Sequence, residues 1–521
     1  MTVRRRRPLY HSHTSPAFTK QRNPEMLVSP STLNIAKWSR AEFVFEAESD
    51  PSHFTQSWVT ATFSNGDDQK VVRGFYDDGG RFLLRFMPQS EGIWTFRTES
   101  NIASLSGITG SVNCTPAGAE ATGPIETDET FHFRTASGKA WYPFGTTAYV
   151  WNYQSDAVQE QTLASLAASP FNKIRMCVFP KHYTYNFKEP QRFPFPGNIT
   201  DGFDFSRFDC AFFHQLENQI DALKDRGIEA DLIIFHPYDR WGFAEMDAET
   251  DRRYVEYLVA RLSSFSNVWW SLANEFDLLR KKPMSFWDGV FKQITADDPY
   301  GHLISIHNWH NPPIHYTSND HWYDQTDPLI THASIQHHDL WFVPGWREQF
   351  SKPIVIDECR YEGDVDCGWG NISGRKMLNL TWEGVCAGGY VTHGESYLSD
   401  DEIIWWSHGG RLKGESPERI AFLRNILEEG EAKRLSPWKG RSHSQWDVTI
   451  GHMGDDYWLL WFGDSQPGFK LLTMLPEGKE FAVEIIDAWA MTVERVTGTW
   501  RSGDRLPLPG RPGIALRMTA V

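Results

Sequence analysis

Between residues 140 and 395 the chain carries eight short apolar runs separated by longer stretches: AWYPFGTTAYV, NKIRMCVF, EADLIIFH, NVWWSLAN, HLISIHN, HASIQHH, KPIVIDE and GGYVTHGE. Apolar runs alternating with amphipathic segments are the pattern of β/α units around a parallel sheet, and eight is the number a closed (β/α)8 barrel takes. The intervening segments agree. Phe212, Leu216, Ile220 and Leu223 recur at helical spacing with Gly227 as a stop, and Val255, Leu258, Val259 and Leu262 repeat the pattern before the fourth run. SPERIAFLRNILEEG reads as the last helix, with Ser416 as N-cap, Pro417 in the first turn and Gly430 as the stop. The stretch around IHYTSNDHWYDQTDP, between the fifth and sixth runs, has little helical period and reads as a cleft-shaping loop.

Both flanks change rhythm. From about Pro24 onward SWVTATF, VVRGFY, RFLLRF and IWTFRT alternate between turns such as NGDDQ and DDGG, which predicts an antiparallel β-sandwich with Phe82, Leu84 and Phe86 on one buried face and Trp94 and Phe96 on another. CTPAGAEATGPIET has the composition of a linker. After the barrel, YWLLWFG, EFAVEIIDAW and GIALRM are short strands between Gly, Pro and Asp. The expected class is α/β, a (β/α)8 TIM barrel over 124–432 flanked by a β-sandwich domain over 24–123 and a small C-terminal β-sandwich domain over 433–521.

In such a barrel the active site lies at the C-terminal ends of the strands. The runs end in Arg175, His236, Asn274, Glu275, His307, His337, His338, Glu358, His393 and Glu395, a set rich in histidines and carboxylates. Glu275 and Glu358 end the fourth and seventh. Two carboxyls facing one another across a sugar are what glycosidic cleavage needs: one donates a proton to the leaving oxygen, and the other attacks the anomeric carbon or activates water. A gap of roughly 5–5.5 Å gives retention and roughly 6.5–9.5 Å gives inversion. Glu275 must rest protonated, which an apolar wall of Trp269, Trp270 and Phe276 and a negative Glu358 would favour. Glu358 must stay ionised, held by Arg175 and by tyrosine or histidine donors.

Three carboxylates compete with this pair. Asp357 precedes Glu358 and points to the opposite face of the strand. Glu362 falls in the following loop, where it could bind substrate, and Glu395 reads as a sugar-binding or Arg-pairing group. Cys359 alternates away from the cleft. The histidines at 302, 307, 310, 315, 321, 332, 337 and 338 lack an i,i+4 helical pair of the HExxH kind, so neither a metal nor another cofactor is expected. An esterase or amidase reading lacks a G-x-S-x-G elbow.

Lys and Arg number 51 against 67 Asp and Glu, a net charge of −16, which argues against nucleic acid or an anionic membrane and favours neutral or cationic ligands. Arg4 to Arg7 form only a short basic tip, read as a solvated terminus. No apolar stretch has the length of a membrane span and no apolar h-region follows that tip, so a cytoplasmic protein is expected. The six cysteines are scattered without metal-type spacing, and Cys177 and Cys386 sit in apolar runs. The 23 Trp and 17 Tyr suit flat faces for sugar rings or, equally, a large aromatic core. A homo-oligomer is compatible with all of this.

The chain resembles retaining glycoside hydrolases of the clan-A type, which carry Asn-Glu at the end of the fourth strand and Glu at the end of the seventh, where Asn274-Glu275 and Glu358 stand. The resemblance covers roughly residues 140–430. It implies that Glu275 is the general acid/base, Asn274 binds the sugar 2-hydroxyl and Glu358 is the nucleophile. It further implies that Arg175 contacts the nucleophile and His236 lines the sugar subsite. More narrowly, PQSEGIWTFRT, IDECRYEG and GGYVTHGE are similar to segments of a group with an N-terminal Ig-like domain, an apiosidase-like barrel and a small C-terminal β-domain. His307, His337 and Glu395 complete the expected substrate-binding set. The clan often ends its eighth strand with Trp; here the strand ends THGESY, and Trp405 and Trp406, a few residues later, are either the replacement for that face or core residues. The expected function is hydrolysis of an O-glycosidic bond by a retaining two-glutamate mechanism. The bulky loop HYTYNFKEPQRFPFPG suggests exo action. The alternative is a non-catalytic carbohydrate-binding protein on the same barrel, which has no need to keep Glu275, Glu358 and Asn274 together.

Overall fold

A computed structural model of the protein describes residues 32–309, 322–430, 432–440 and 448–521. Five parallel strands, Gly145–Thr147, Lys173–Cys177, Glu229–Phe235, Val268–Ala273 and Ile304–Ser305, pair in that order. A second parallel sheet contains Ala333–Gln336, Ile354–Glu358 and Tyr390–Val391. Isolated parallel bridges, His307 with Ser334 and Thr146 with His393, join the two sheets at either edge. The eight runs therefore supply the eight strands of an α/β barrel. The second, third and fourth strands are buried along their whole length, as expected where both faces of a parallel sheet are covered. Helices Asp156–Ala167, Cys210–Lys224, Ala248–Leu262, Met284–Asp297, Val343–Phe350, Gly374–Cys386 and Ser416–Glu428 surround them. Most of the loop between the fifth and sixth strands, with His310, His315 and His321, lies outside the described residues, as does the Arg4 to Arg7 tip.

The structure departs from the sequence reading in two places here. Only the second half of the first run is a barrel strand, because Pro143 interrupts it. Ala140–Trp141 instead pairs antiparallel with His132–Thr135, which pairs with Ile125–Asp128. Phe133 of this small sheet packs on Trp269, His332 and Tyr390, with ring centroids 5.4, 5.8 and 5.3 Å away, and so covers the N-terminal end of the barrel. The last helix begins at Ser416 with Glu415 as its N-cap, since the Ser416 hydroxyl is drawn off to Glu362.

Ahead of the barrel, a five-stranded sheet (Leu33–Ala36, Thr109–Thr115, Gly92–Ser100, Val59–Asn65, Asp68–Arg73) faces a three-stranded one (Ala41–Glu46, Arg81–Phe86, Phe75–Tyr76). Phe43, Phe63, Leu84, Phe86, Trp94 and Phe96 share the core between them. The chain crosses from one sheet to the other at Gly74, where a Cβ would lie 2.7 Å from both the Leu83 carbonyl oxygen and Val59 Cγ1. Strand Arg81–Phe86 is buried on both faces, because its outer face meets the barrel helices. Arg85 donates to Glu42 at 2.7 Å, to Glu217 at 2.9 Å and to the Arg261 carbonyl at 2.9 Å, while Arg261 reaches Asp77 at 2.8 Å. After the barrel comes a six-stranded sheet from Ser436–Pro437 to Ile514–Ala520, docked where Trp461 stacks on Trp382 of a barrel helix, centroids 5.0 Å apart.

Candidate active site

The fourth strand ends at Ala273, and the next two residues turn into the mouth of the barrel. The Asn274 amide donates to the Phe235 carbonyl and the Phe276 amide to the His307 carbonyl, so the backbone on both sides of Glu275 is pinned to neighbouring strand ends. Between them Glu275 adopts left-handed φ 51° and ψ 55°. A non-glycine residue in that region costs roughly 1–2 kcal/mol. Its Oε2 accepts from the Tyr238 hydroxyl, and the Gln336 side chain is a second hydrogen-bond partner.

Glu358 is the last residue of the seventh strand. Its Oε1 accepts from the Tyr149 hydroxyl and from Arg175 Nη1 at 3.1 Å, with His307 Nε2 at 3.5 Å. Arg175 Nη2 donates to Asn274 Oδ1 at 2.9 Å, which ties the fourth strand's Asn to the seventh strand's Glu through one guanidinium. Alternation puts Asp357 on the other face, where it accepts from Lys173 at 2.8 Å, Thr392 at 2.8 Å and Ser334 at 2.5 Å. Lys173 also donates to Asp231 at 2.7 Å. This charged layer underlies the site and supports Arg175 from below.

The pKa values of the two glutamates are pushed in opposite directions. Burial pushes Glu275 up, and the nearby Glu358 charge pushes it further, to about 7. Burial also opposes ionisation of Glu358, but Arg175, His307 and the Tyr149 hydroxyl outweigh it and hold this carboxyl below its ordinary range. His307 is itself pushed down to about 3 by burial and by Arg175, so near neutrality it acts on Glu358 as a neutral imidazole rather than as an ion-pair partner. One protonated and one ionised carboxyl in a single site is the arrangement that acid and nucleophile roles require.

Both glutamates line a cavity of about 320 Å³, together with Asn274, Gln336, His337, His338, Lys181, Arg360 and the rings of Tyr149, Tyr183, Tyr238, Trp309, Tyr361, Trp369 and Trp406. Several sequence candidates fall elsewhere. His236 Nε2 donates to the Phe179 carbonyl, 3.3 Å away, and the ring lies beneath Tyr238 rather than on the cavity wall. Trp405 is buried with Nε1 on Thr146, and it is the neighbouring Trp406, also buried, that lines the cavity. Glu395 accepts from the Lys413 and Gly414 amides, and Glu362 from the Glu415 and Ser416 amides at the start of the last helix, where an anion is favoured. Both carboxylates fix a loop. Trp269 and Trp270, expected as the wall around Glu275, bond Glu229 and Asp298 instead. Cys359 is buried in an apolar cluster, pushed up to about 12 by burial. Among the described residues no group of three His, Cys, Asp or Glu could hold a metal ion.

Tyr149, Lys181, Tyr238 and Gln336 were not singled out from the sequence. Tyr149 closes the first apolar run and Tyr238 lies two residues beyond the third, which is the signal that could have found them.

The strand ends of this barrel gather two carboxyls, pushed apart in pKa, in an aromatic cavity, and comparison with known proteins places it. The family described as apiosidase-like, catalytic domain, matches residues 127–452, and two families described as domains of unknown function, DUF5060 and DUF5605, match 34–101 and 446–519. The chain belongs to the apiosidase-like family. It is similar to a protein from Bacteroides vulgatus whose crystal structure is provisionally described as a glycoside hydrolase, with 37% identity over 94% of this chain and 100% of that one and a TM-score of 0.87. A glycoside hydrolase family 5 protein from the same organism shares the fold, at 14% identity over 77% of this chain and 93% of that one, with a TM-score of 0.60. No curated protein matches.

Proposed function

We propose that the protein is a retaining, exo-acting glycoside hydrolase on a (β/α)8 TIM barrel, with Glu275 as general acid/base and Glu358 as nucleophile. The observation that carries this reading is the pair of carboxyls in one cavity, Glu275 pushed up to about 7 and Glu358 held down by Arg175. In the first step a Glu358 oxygen attacks the anomeric carbon while Glu275 gives its proton to the departing glycosidic oxygen, leaving a glycosyl ester on Glu358. In the second step Glu275, now a carboxylate, takes a proton from water; that water attacks the anomeric carbon and Glu358 leaves as carboxylate. Arg175, Tyr149 and His307 compensate the Glu358 charge before attack and on its return. Asn274, fixed by Arg175, is the group for the sugar hydroxyl next to the anomeric carbon. A cavity near the small end of ligand-pocket volumes supports exo action. The N-terminal sandwich, read as Ig-like, and the C-terminal sheet act as walls of the barrel, and the location proposed with this reading is cytoplasmic. Following the anomer released from an aryl glycoside by proton NMR tests the mechanism: first release with retained configuration is expected, and first release with inverted configuration would overturn it.

A further inference from the structure

Lys181 belongs to the cavity yet has no task in the reaction just described. It is 5% exposed, and among the described residues its ammonium has no hydrogen-bond or ion-pair partner. Aromatic faces surround it: Nζ lies 3.6 Å from the ring centroid of Tyr149, 4.2 Å from that of Tyr238 and 4.9 Å from that of Trp406. The hydroxyls of those two tyrosines are committed to Glu358 and Glu275, so neither is aimed back at the lysine. Ring faces offset part of the loss of water around a cation, but an ammonium withdrawn from solvent without an acceptor remains unfavourable. Arg360 adds a second cation to the same wall, with Nε donating to the Gly368 carbonyl at 2.8 Å.

The local charge follows. With Glu275 protonated, the only anion among the described residues of the cavity wall is Glu358, and Arg175 already compensates it. Burial lowers the Lys181 pKa and the Glu275 and Glu358 charges raise it; in its ammonium form Lys181 joins Arg360 as positive charge on this wall, within a chain of net charge −16. The overall charge, which favours neutral or cationic ligands, does not describe this cavity. Its walls concentrate the field of the nearest groups more than that of distant ones.

We propose that the sugar held against Glu275 and Glu358 carries an anionic group, a carboxylate or a sulfate ester, and that Lys181 receives it. The inference rests on the glycosidase reading for the identity of the ligand as a sugar. Because Lys181 sits between the two tyrosines that bond the two glutamates, the anion belongs to the ring being cleaved, not to a distant unit of the chain. Binding completes the coordination of the ammonium, and the sugar ring lies against the aromatic faces that surround it.

The test uses the intact protein and matched pairs of nitrophenyl glycosides that differ only at one carbon: uronide against hexoside, and sulfated hexoside against plain hexoside. In the pair that is cleaved, the anionic member is expected to exceed the neutral one in kcat/KM by about tenfold or more, the range of a hydrogen bond to a charged group. Lys181→Met should erase the preference while leaving the neutral member cleaved, and Lys181→Arg should keep it. A uronide preference assigns a carboxylate and a sulfate preference assigns a sulfate ester. A wild type that favours the neutral member, or a Lys181→Met variant that loses both members equally, overturns the proposal. Calorimetry separates this from failure of the glycosidase reading: if no glycoside is cleaved, glucuronate, galacturonate and hexose sulfates should still bind the wild type more tightly than glucose or galactose and lose that advantage in Lys181→Met, and equal binding of charged and neutral sugars overturns it.

Discussion

Arg175 and Glu358 meet at 3.1 Å, and the same guanidinium holds Asn274, so the group that keeps the seventh-strand carboxyl charged also sets the position of the fourth-strand amide. Glu358→Ala removes the attacking oxygen but leaves Arg175 its bonds to Asn274 and to the Asp357 carbonyl, so the fold should survive. Hydrolysis of an aryl glycoside is expected to fall by roughly four to six orders of magnitude. Added azide should restore a glycosyl azide of inverted configuration; undiminished hydrolysis in the variant removes Glu358 as nucleophile.

Glu275→Ala has a different signature. A general acid contributes roughly 10²–10⁴-fold, and its loss is felt in proportion to the basicity of the leaving group. Substrates with a dinitrophenyl leaving group should lose little in the first step, and alkyl glycosides should lose nearly all activity. Equal losses for both would show that Glu275 does not protonate the leaving oxygen.

As the proposed general acid, Glu275 gives a pH signature: the reaction would need its protonated form, so kcat/KM should decline as pH rises through about 7. The Tyr238 hydroxyl bond favours the ionised form of Glu275 and pulls its pKa down against the effect of burial. Tyr238→Phe should therefore move the alkaline limb to higher pH. A limb that stays in place or moves down would mean that another group controls it.

Glu229 gives a stability signature away from the chemistry. It is buried at the foot of the third strand, accepts from Trp269 Nε1 at 3.0 Å, and is pushed up to about 8 by burial. A carboxyl raised in the folded state from 4.5 contributes stability that is fully present below about 4.5 and is lost as pH rises through about 8. Glu229→Gln, which cannot ionise, should gain in Tm relative to the wild type between pH 5 and pH 9. A constant difference across that range would show that Glu229 does not titrate with folding.

The parts of this molecule that could be read from its sequence are those set by local period. Eight apolar runs give eight strands, and alternation along KPIVIDE puts Asp357 and Glu358 on opposite faces, which the Lys173 and Arg175 contacts bear out. What could not be read depends on contacts remote in the chain. Glu362 and Glu395 look like cleft residues until the 413–416 segment folds back over them. His236 and Tyr238 are separated only by Pro237, and which of them reaches the cavity is decided by the turn, not by strand alternation. Trp405 and Trp406 pose the same choice one residue apart. The aromatic count, which suited a sugar cleft and a core alike, is divided between core and cavity: Trp94, Trp269, Trp287 and Trp382 are fully buried in the packing, while Trp309, Trp369 and Trp406 line the cavity.

The contact of Arg85 with Glu217 and Arg261 bears on how the molecule comes apart. Arg261 is fully buried and Glu217 nearly so, each on a barrel helix, yet part of their charge is met by Arg85 and Asp77 of the N-terminal sheets. Cutting the chain at the linker would leave a buried ion network missing members, at a cost of about 3–5 kcal/mol, a large share of what holds an ordinary domain together. The sandwich and the barrel are two architectures by inspection of their strands, but thermodynamically they share a wall. On heating they should melt in a single cooperative event, and the linker composition that separates them in the sequence marks a bend in the chain, not a place where it can be divided.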